Sequence, residues 1–267
     1  MSSSEFKSVI ITGGSSGIGK ATAILLAQHE YNIAIIGRRK DLLEEAVLQI
    51  SQYKVNPLQQ IIYAQADVCD SNAINLAIQN IIDQIGAPSV VITSAGMAHP
   101  GYFAQLSNEI FEQTMQTNFF GTLYTIKAVV PFMRKAKSGH IILISSGAGL
   151  IGIFGYTAYA ASKFAIRGFG EALRPELKKD CIDVSIVYPS DVETPQLIAE
   201  NKLKPLETKI ISGAIKPLKP EQIATAILKG IKHKNFIITV GYQIKLMNRL
   251  HSLIAPLLNR YLDYIIK

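Results

Sequence analysis

Apolar positions in this chain fall into two alternating kinds of stretch. Short, nearly unbroken runs rich in β-branched residues occupy residues 7–12 (KSVIIT), 32–36, 59–65, 89–93, 141–144, 183–188 and 236–240. Runs of that length with little polar alternation predict strands covered on both faces. Between them, apolar residues recur every three or four positions, which predicts helices over 20–28, 41–52, from near Ser71, over 108–134, from Tyr159 and over 220–232. Strands alternating with helices predict an α/β protein. From Pro195 to Lys219 the periodicity fades and Pro205 and Pro217 intervene, so a loop over about 190–219 is expected, of a length usually tied to function. The last stretch, 243–267, regains a helical stripe through Ile244, Met247, Leu250, Ile254, Leu257, Tyr261 and Ile265, interrupted near Pro256.

Composition narrows this picture. The chain has 267 residues, 48% of them hydrophobic and only 18% charged, enough for one large domain and too apolar for disorder. The domain expected is a single one over 1–267. Its two cysteines, Cys69 and Cys181, have no pairing or metal spacing, and its five histidines form no HxxxH or HExxH cluster, so reduced thiols, a cytoplasmic setting and no metal are expected. The opening MSSSEFKS lacks the charged and apolar regions of a signal peptide, and no apolar run reaches a membrane span. Charge is uneven: residues 1–200 carry −2 and residues 201–267 carry +9 of the net +7. A basic last quarter fits either attraction to an anionic surface, such as lipid headgroups, or a solvated face. Packing on its own subunit, an oligomer contact and a membrane interface compete as uses of the terminal helix. Without aromatic interleaving or a reading motif, no nucleic-acid role is expected.

Candidate chemistry sits at the strand ends. After the first strand comes Gly13-Gly14-Ser15-Ser16-Gly17-Ile18-Gly19, a turn whose glycines let backbone N–H groups approach a pyrophosphate. Gly13-x-Ser15-x-Gly17 also fits a hydrolase nucleophile elbow; that reading leaves Gly19 without a role and finds no Asp-then-His order downstream. The second strand ends at Gly37-Arg38-Arg39, where an NAD site would place an acid for the ribose hydroxyl. Guanidinium groups suit a 2′-phosphate instead, so NADP(H) is expected. Asp67, beside Val68, could bond an adenine amine or cap the helix near Ser71. Ser94-Ala95-Gly96 offers small residues for close cofactor passage. Ser146 closes a strand; Tyr159 and Lys163, four apart, share one face of the next helix. A lysine charge there favours phenolate and lowers the tyrosine pKa, and a serine hydroxyl can polarise a carbonyl. Asn118, amid a helical pattern, is expected to be partly buried beside Phe119 and Phe120.

Taken together, the glycine turn, Arg38, Asn118, Ser146, Tyr159 and Lys163 make the chain resemble the short-chain dehydrogenase/reductase family. The resemblance implies a Rossmann-like, doubly wound parallel sheet of seven strands in the order 3-2-1-4-5-6-7, in dimers or tetramers. It implies Tyr159 as general acid, Lys163 on the nicotinamide ribose, Ser146 on the carbonyl, and Asn118 holding a water in a proton relay. It also implies cofactor contacts from Pro189, Val192 and Thr194, the last with the carboxamide. Thr93-Ser94-Ala95-Gly96 departs from the usual NNAG, and Ser190 from the usual glycine. Segments 94–101, 154–168, 188–195 and 199–212 resemble members that reduce a long-chain, lipid-like ketone at a membrane surface. Alternatives are another short-chain reductase acting on an oxoacyl thioester or a steroid, or a non-enzymatic NADPH-binding protein on the same fold.

Overall fold

The computed structural model describes residues 6–213 and 216–250. Seven strands, β1 (Ser8–Thr12), β2 (Asn32–Gly37), β3 (Ile61–Gln65), β4 (Val90–Thr93), β5 (Gly139–Ile144), β6 (Ile182–Tyr188) and β7 (Ile237–Thr239), form one sheet. Every pairing is parallel and the order is β3-β2-β1-β4-β5-β6-β7, as expected from the sequence. All residues of β1, β4 and β5 are buried, because helices cover the sheet on both sides. Two apolar layers result. One joins Ile10, Ile36, Val91, Ile141 and Ile186 to helices α3 (Ser71–Ile85), α5 (Gly121–Ala136) and α6 (Thr157–Lys178). The other joins Val9, Ile35, Ile92 and Val187 to α1 (Gly17–Ala27), α2 (Lys40–Ser51) and α9 (Pro220–His233). Alternate residues of each strand thus serve opposite layers.

Two stretches differ from expectation, and one open alternative is decided. The helical pattern over 108–134 is divided into α4 (Asn108–Met115), a π-helical turn (Gln116–Phe120) and α5. One extra residue in that turn rotates everything after it, and apolar periodicity alone does not reveal such a phase shift. The segment expected as a loop contains α7 (Pro195–Leu203) and α8 (Leu206–Gly213). Neither carries a full apolar stripe: Ile198, Leu203, Leu206 and Ile210 are exposed. Start signals were present nonetheless, since Thr194 accepts from Leu197 N at 3.2 Å and Pro195 occupies the first turn. Finally, α3 is capped by Asp70, which accepts from Asn72 N and Ala73 N, and Asp67 is left free of that duty.

The terminal helix begins within the described residues as α10 (residues 242–250). Its Ile244 is buried in the first apolar layer with Met247 packed against it, so this first part packs on its own subunit. The expected stripe from Ile254 onward lies outside the described residues.

One buried histidine ties stability to pH. His140, only 5% exposed on β5, lies 2.7 Å from Ser185 Oγ on β6. Burial pulls its imidazole down to about 4 from 6.5, with Asp183 opposing and Lys234 assisting. The folded state therefore holds His140 neutral: its contribution is complete above pH 6.5 and is lost as pH falls toward 4. Between pH 7.5 and 4.5 the wild type is expected to lose roughly 2–3 kcal/mol more unfolding free energy than His140→Gln. Urea titrations of both proteins at the two pH values check this; equal losses would exclude His140 as the cause.

Candidate active site

The C-terminal ends of the strands meet in one cleft. Its floor starts at the glycine turn after β1. Gly13 has φ +68°, and a side chain there would come within 2.7 Å of Ala95 N, after β4. A side chain on Gly19 would collide with the carbonyl of Gly13. Only glycine lets the turn fold this tightly under α1. The first turn of α1 has no acidic residue, so its free N–H groups and the helix dipole present a positive end to the cleft. That cradle fits a dinucleotide pyrophosphate. At the β2 end, Arg38 is well exposed and sits 3.8 Å from Asp67 Oδ2, while Asp67 accepts from Cys69 N at 3.0 Å. An exposed guanidinium at this place, paired only loosely with Asp67, fits the 2′-phosphate that the sequence predicts.

The opposite wall carries the serine, tyrosine and lysine singled out in the sequence. Ser146 follows β5 and accepts from Ala148 N at 3.1 Å. Lys163, 5% exposed on α6, donates to Ile144 O at 3.0 Å and stands 5.5 Å from the centre of the Tyr159 ring. Ser145 fixes the same turn of α6 by donating to Lys163 O at 3.1 Å. Burial pulls the Lys163 ammonium down to about 8 from 10.5, with Glu200 opposing. Burial pushes the Tyr159 phenol well above 10, Glu200 and Asp191 push the same way, and the Ser146 hydroxyl opposes. The lowering of Tyr159 expected from Lys163 is therefore absent from this arrangement. The ammonium is bonded to a backbone carbonyl, and burial, the largest influence on the phenol, acts upward together with the carboxylates. Tyr159 is held as a neutral phenol, the form that can give a proton away.

Asn118 lies behind this wall. It occupies the π-helical turn and is fully buried, beyond the partial burial expected. Its Oδ1 accepts from Met97 N at 2.8 Å, and its Nδ2 donates to Met97 O at 2.9 Å and Ser162 Oγ at 2.8 Å. The side chain stitches the segment after β4 to α6, and the extra residue of the π turn aims it there. In the Thr93-Ser94-Ala95-Gly96 segment that departs from NNAG, Ala95 N donates to Thr12 Oγ1 at 3.3 Å.

Of the sequence-predicted residues, Gly13, Ser15, Ser16, Gly17, Ile18, Arg38, Arg39, Asp67, Val68, Ala95, Gly96, Ser146, Tyr159, Lys163, Pro189, Val192 and Thr194 all line the cleft. Gly19 and Asn118 do not; both act on its framework. The cleft also holds Tyr156, Gln196, Leu197 and Glu200, which the sequence reading missed. Tyr156 could have been found, one turn before Tyr159 on the same helix face. Gln196, Leu197 and Glu200 belong to α7, where periodicity gave no signal.

The sequence profile described as short chain dehydrogenase matches residues 7–204. The chain belongs to the short-chain dehydrogenase family. Membership makes it an oxidoreductase of the ketone–alcohol pair. It is 38% identical over 249 residues to 3-ketodihydrosphingosine reductase of Mus musculus, covering 93% of this chain and 75% of that one. The reductase of the same name from Dictyostelium discoideum is 38% identical over 274 residues, covering 97% and 82%. The 3-dehydrosphinganine reductase of Danio rerio is 37% identical over 234 residues, covering 87% and 70%. Among solved structures, an actinorhodin polyketide ketoreductase variant with NADPH superposes with a TM-score of 0.82 at 22% identity, covering 90% of this chain and 97% of that one. Levodione reductase gives 0.82 at 19% identity, covering 90% and 98%. At such identities these two speak for the fold alone.

Replacing Asn118 by Ala leaves the Met97 backbone groups and Ser162 without their partner. The short-chain dehydrogenase framework is expected to lose about 2–3 kcal/mol on that change. Urea unfolding measures it, and a loss below about 0.5 kcal/mol would mean that the stitch is not under load.

Proposed function

We propose that this protein reduces 3-ketodihydrosphingosine, the 3-ketone of a long-chain sphingoid base, to its alcohol with NADPH. The reading is carried by the 38% identity to the Mus musculus reductase, which spans 249 residues and so outruns the family profile at 7–204. It takes in the region of α7 and α8, next to the substrate end of the cleft.

When bound, the reduced nicotinamide supplies hydride to the carbonyl carbon. The turn of Gly13, Ser15, Ser16, Gly17 and Ile18 holds the pyrophosphate, with Gly19 keeping the turn closed. Arg38, helped by Arg39, holds the 2′-phosphate, Asp67 and Val68 flank the adenine, and Ala95 and Gly96 allow the close passage along β4. Pro189, Val192 and Thr194 seat the nicotinamide end, and Lys163 holds its ribose. Ser146 donates to the carbonyl oxygen and polarises it. As negative charge grows on that oxygen, Tyr159 gives up its proton to it. Asn118 acts as a positioning residue, fixing α6 against the segment after β4.

Two observations support a peripheral contact with lipid. Next to the cleft, α7 and α8 expose Ile198, Leu203, Leu206 and Ile210 together with Lys202 and Lys209. Beyond Ile244, α10 exposes Tyr242, Leu246 and Leu250 beside Lys245 and Arg249. Apolar and basic side chains together suit an anionic membrane surface, where a long-chain substrate resides. Among the described residues no helix is long and apolar enough to cross a membrane.

NADPH consumption with 3-ketodihydrosphingosine in detergent micelles tests the reading. Turnover is expected with wild type and is expected to fall about 10²–10⁴-fold in Tyr159→Phe. Retained turnover in that variant would reject the proton donor, and turnover of other ketones only would reject the substrate. Arg38→Ala is expected to raise the KM for NADPH about 10–100-fold with a much smaller change for NADH. Equal effects on the two cofactors would remove the 2′-phosphate role.

A further inference from the structure

Three carboxylates line the cleft: Asp67, Asp191 and Glu200. Two have cationic partners. Asp67 faces Arg38, and Asp191 Oδ2 lies 3.3 Å from Nζ of the nearly buried Lys204. Glu200 differs. It is 8% exposed, and among the described residues no lysine, arginine or histidine pairs with it. Its hydrogen bonds come from neutral groups, Tyr156 Oη to Oε2 at 2.7 Å and Gln196 Nε2 to Oε1 at 2.8 Å. Each oxygen keeps a free lone pair in a cleft wall. The ring of Tyr156 lies 5.6 Å from that of Tyr159, so the carboxylate sits within one side chain of the proton donor. A buried carboxylate that feels the Lys163 ammonium only from beyond ion-pair distance, while that ammonium is bonded to Ile144 O, is costly to keep unless something cationic arrives.

We propose that Glu200 is the specificity residue that binds the ammonium on the carbon next to the reacting ketone. This rests on the substrate proposed above, in which an amine occupies that carbon. Tyr156 and Gln196 hold the carboxylate in place, and the substrate supplies the missing charge. A ketone of the same length without the amine leaves Glu200 unpaired and is bound less well. Asp191, already matched by Lys204, has no such need.

The test compares kcat/KM for 3-ketodihydrosphingosine with that for the same long-chain 1-hydroxy-3-ketone lacking the amine, with NADPH, in detergent micelles. Wild type is expected to prefer the amine about 10–100-fold. In Glu200→Gln that ratio is expected to collapse toward one, through KM more than kcat, and Glu200→Asp is expected to recover part of it. Gln196→Lys gives a second route that keeps the carboxylate: an internal ammonium beside Glu200 is expected to erase the preference too. NADPH binding, followed by cofactor fluorescence, reports whether each variant retains its cofactor site. Equal losses for both ketones in Glu200→Gln, with the ratio intact, would overturn the inference and make Glu200 a purely structural tie. A wild type that reduces both ketones equally would also overturn it while leaving the proposed reaction standing. A wild type that reduces only thioesters or steroids would overturn both.

Discussion

Burial of both faces of the sheet is the constraint on which everything else depends. Strands such as β1 and β5 expose no residue, so they have no face on which to carry polar chemistry. Parallel pairing brings their C-terminal ends to one edge, and that edge is where polar groups and backbone N–H groups can gather. Ser146 beyond β5, the glycine turn beyond β1 and Arg38 beyond β2 therefore become neighbours although the chain separates them widely. Lys163 shows the cost of this crowding. Its ammonium is nearly sequestered and keeps a bond to Ile144 O, the last carbonyl of the strand that also delivers Ser146.

Burial first, and then the carboxylates of Glu200 and Asp191, push the Tyr159 phenol upward, against the Ser146 hydroxyl. A phenol in such surroundings keeps its proton until an alkoxide forms nearby. The same surroundings resist formation of a phenolate at Tyr159.

Most of the fold was legible because it is written in short-range pattern. Unbroken β-branched runs gave the seven strands to within a residue or two, and the turn glycines gave the cradle. Ser146, Tyr159 and Lys163 were legible because strand end and helix spacing are local properties. Legibility failed where structure departs from regular period. The π turn at Gln116–Phe120 shifts phase without changing composition, so Asn118 read as a half-buried helix residue when it is a fully buried stitch. Helices α7 and α8 expose apolar side chains that a globular helix would bury, so their stripe was unreadable, and Glu200 went unseen with them. The raised pKa of Tyr159 was equally out of reach, since it depends first on burial and then on carboxylates brought in from α7 and the loop before it.

The short helix α7 has a mechanical consequence. Thr194, its cap, touches the glycine turn side of the cleft, where a side chain on Gly17 would meet its methyl group at 3.0 Å. Glu200, less than two turns along, reaches Tyr156. One short helix thus ties the glycine-turn wall to the Tyr156 wall, so a substitution that displaces its Thr194 end also bears on the Glu200 contact at the other.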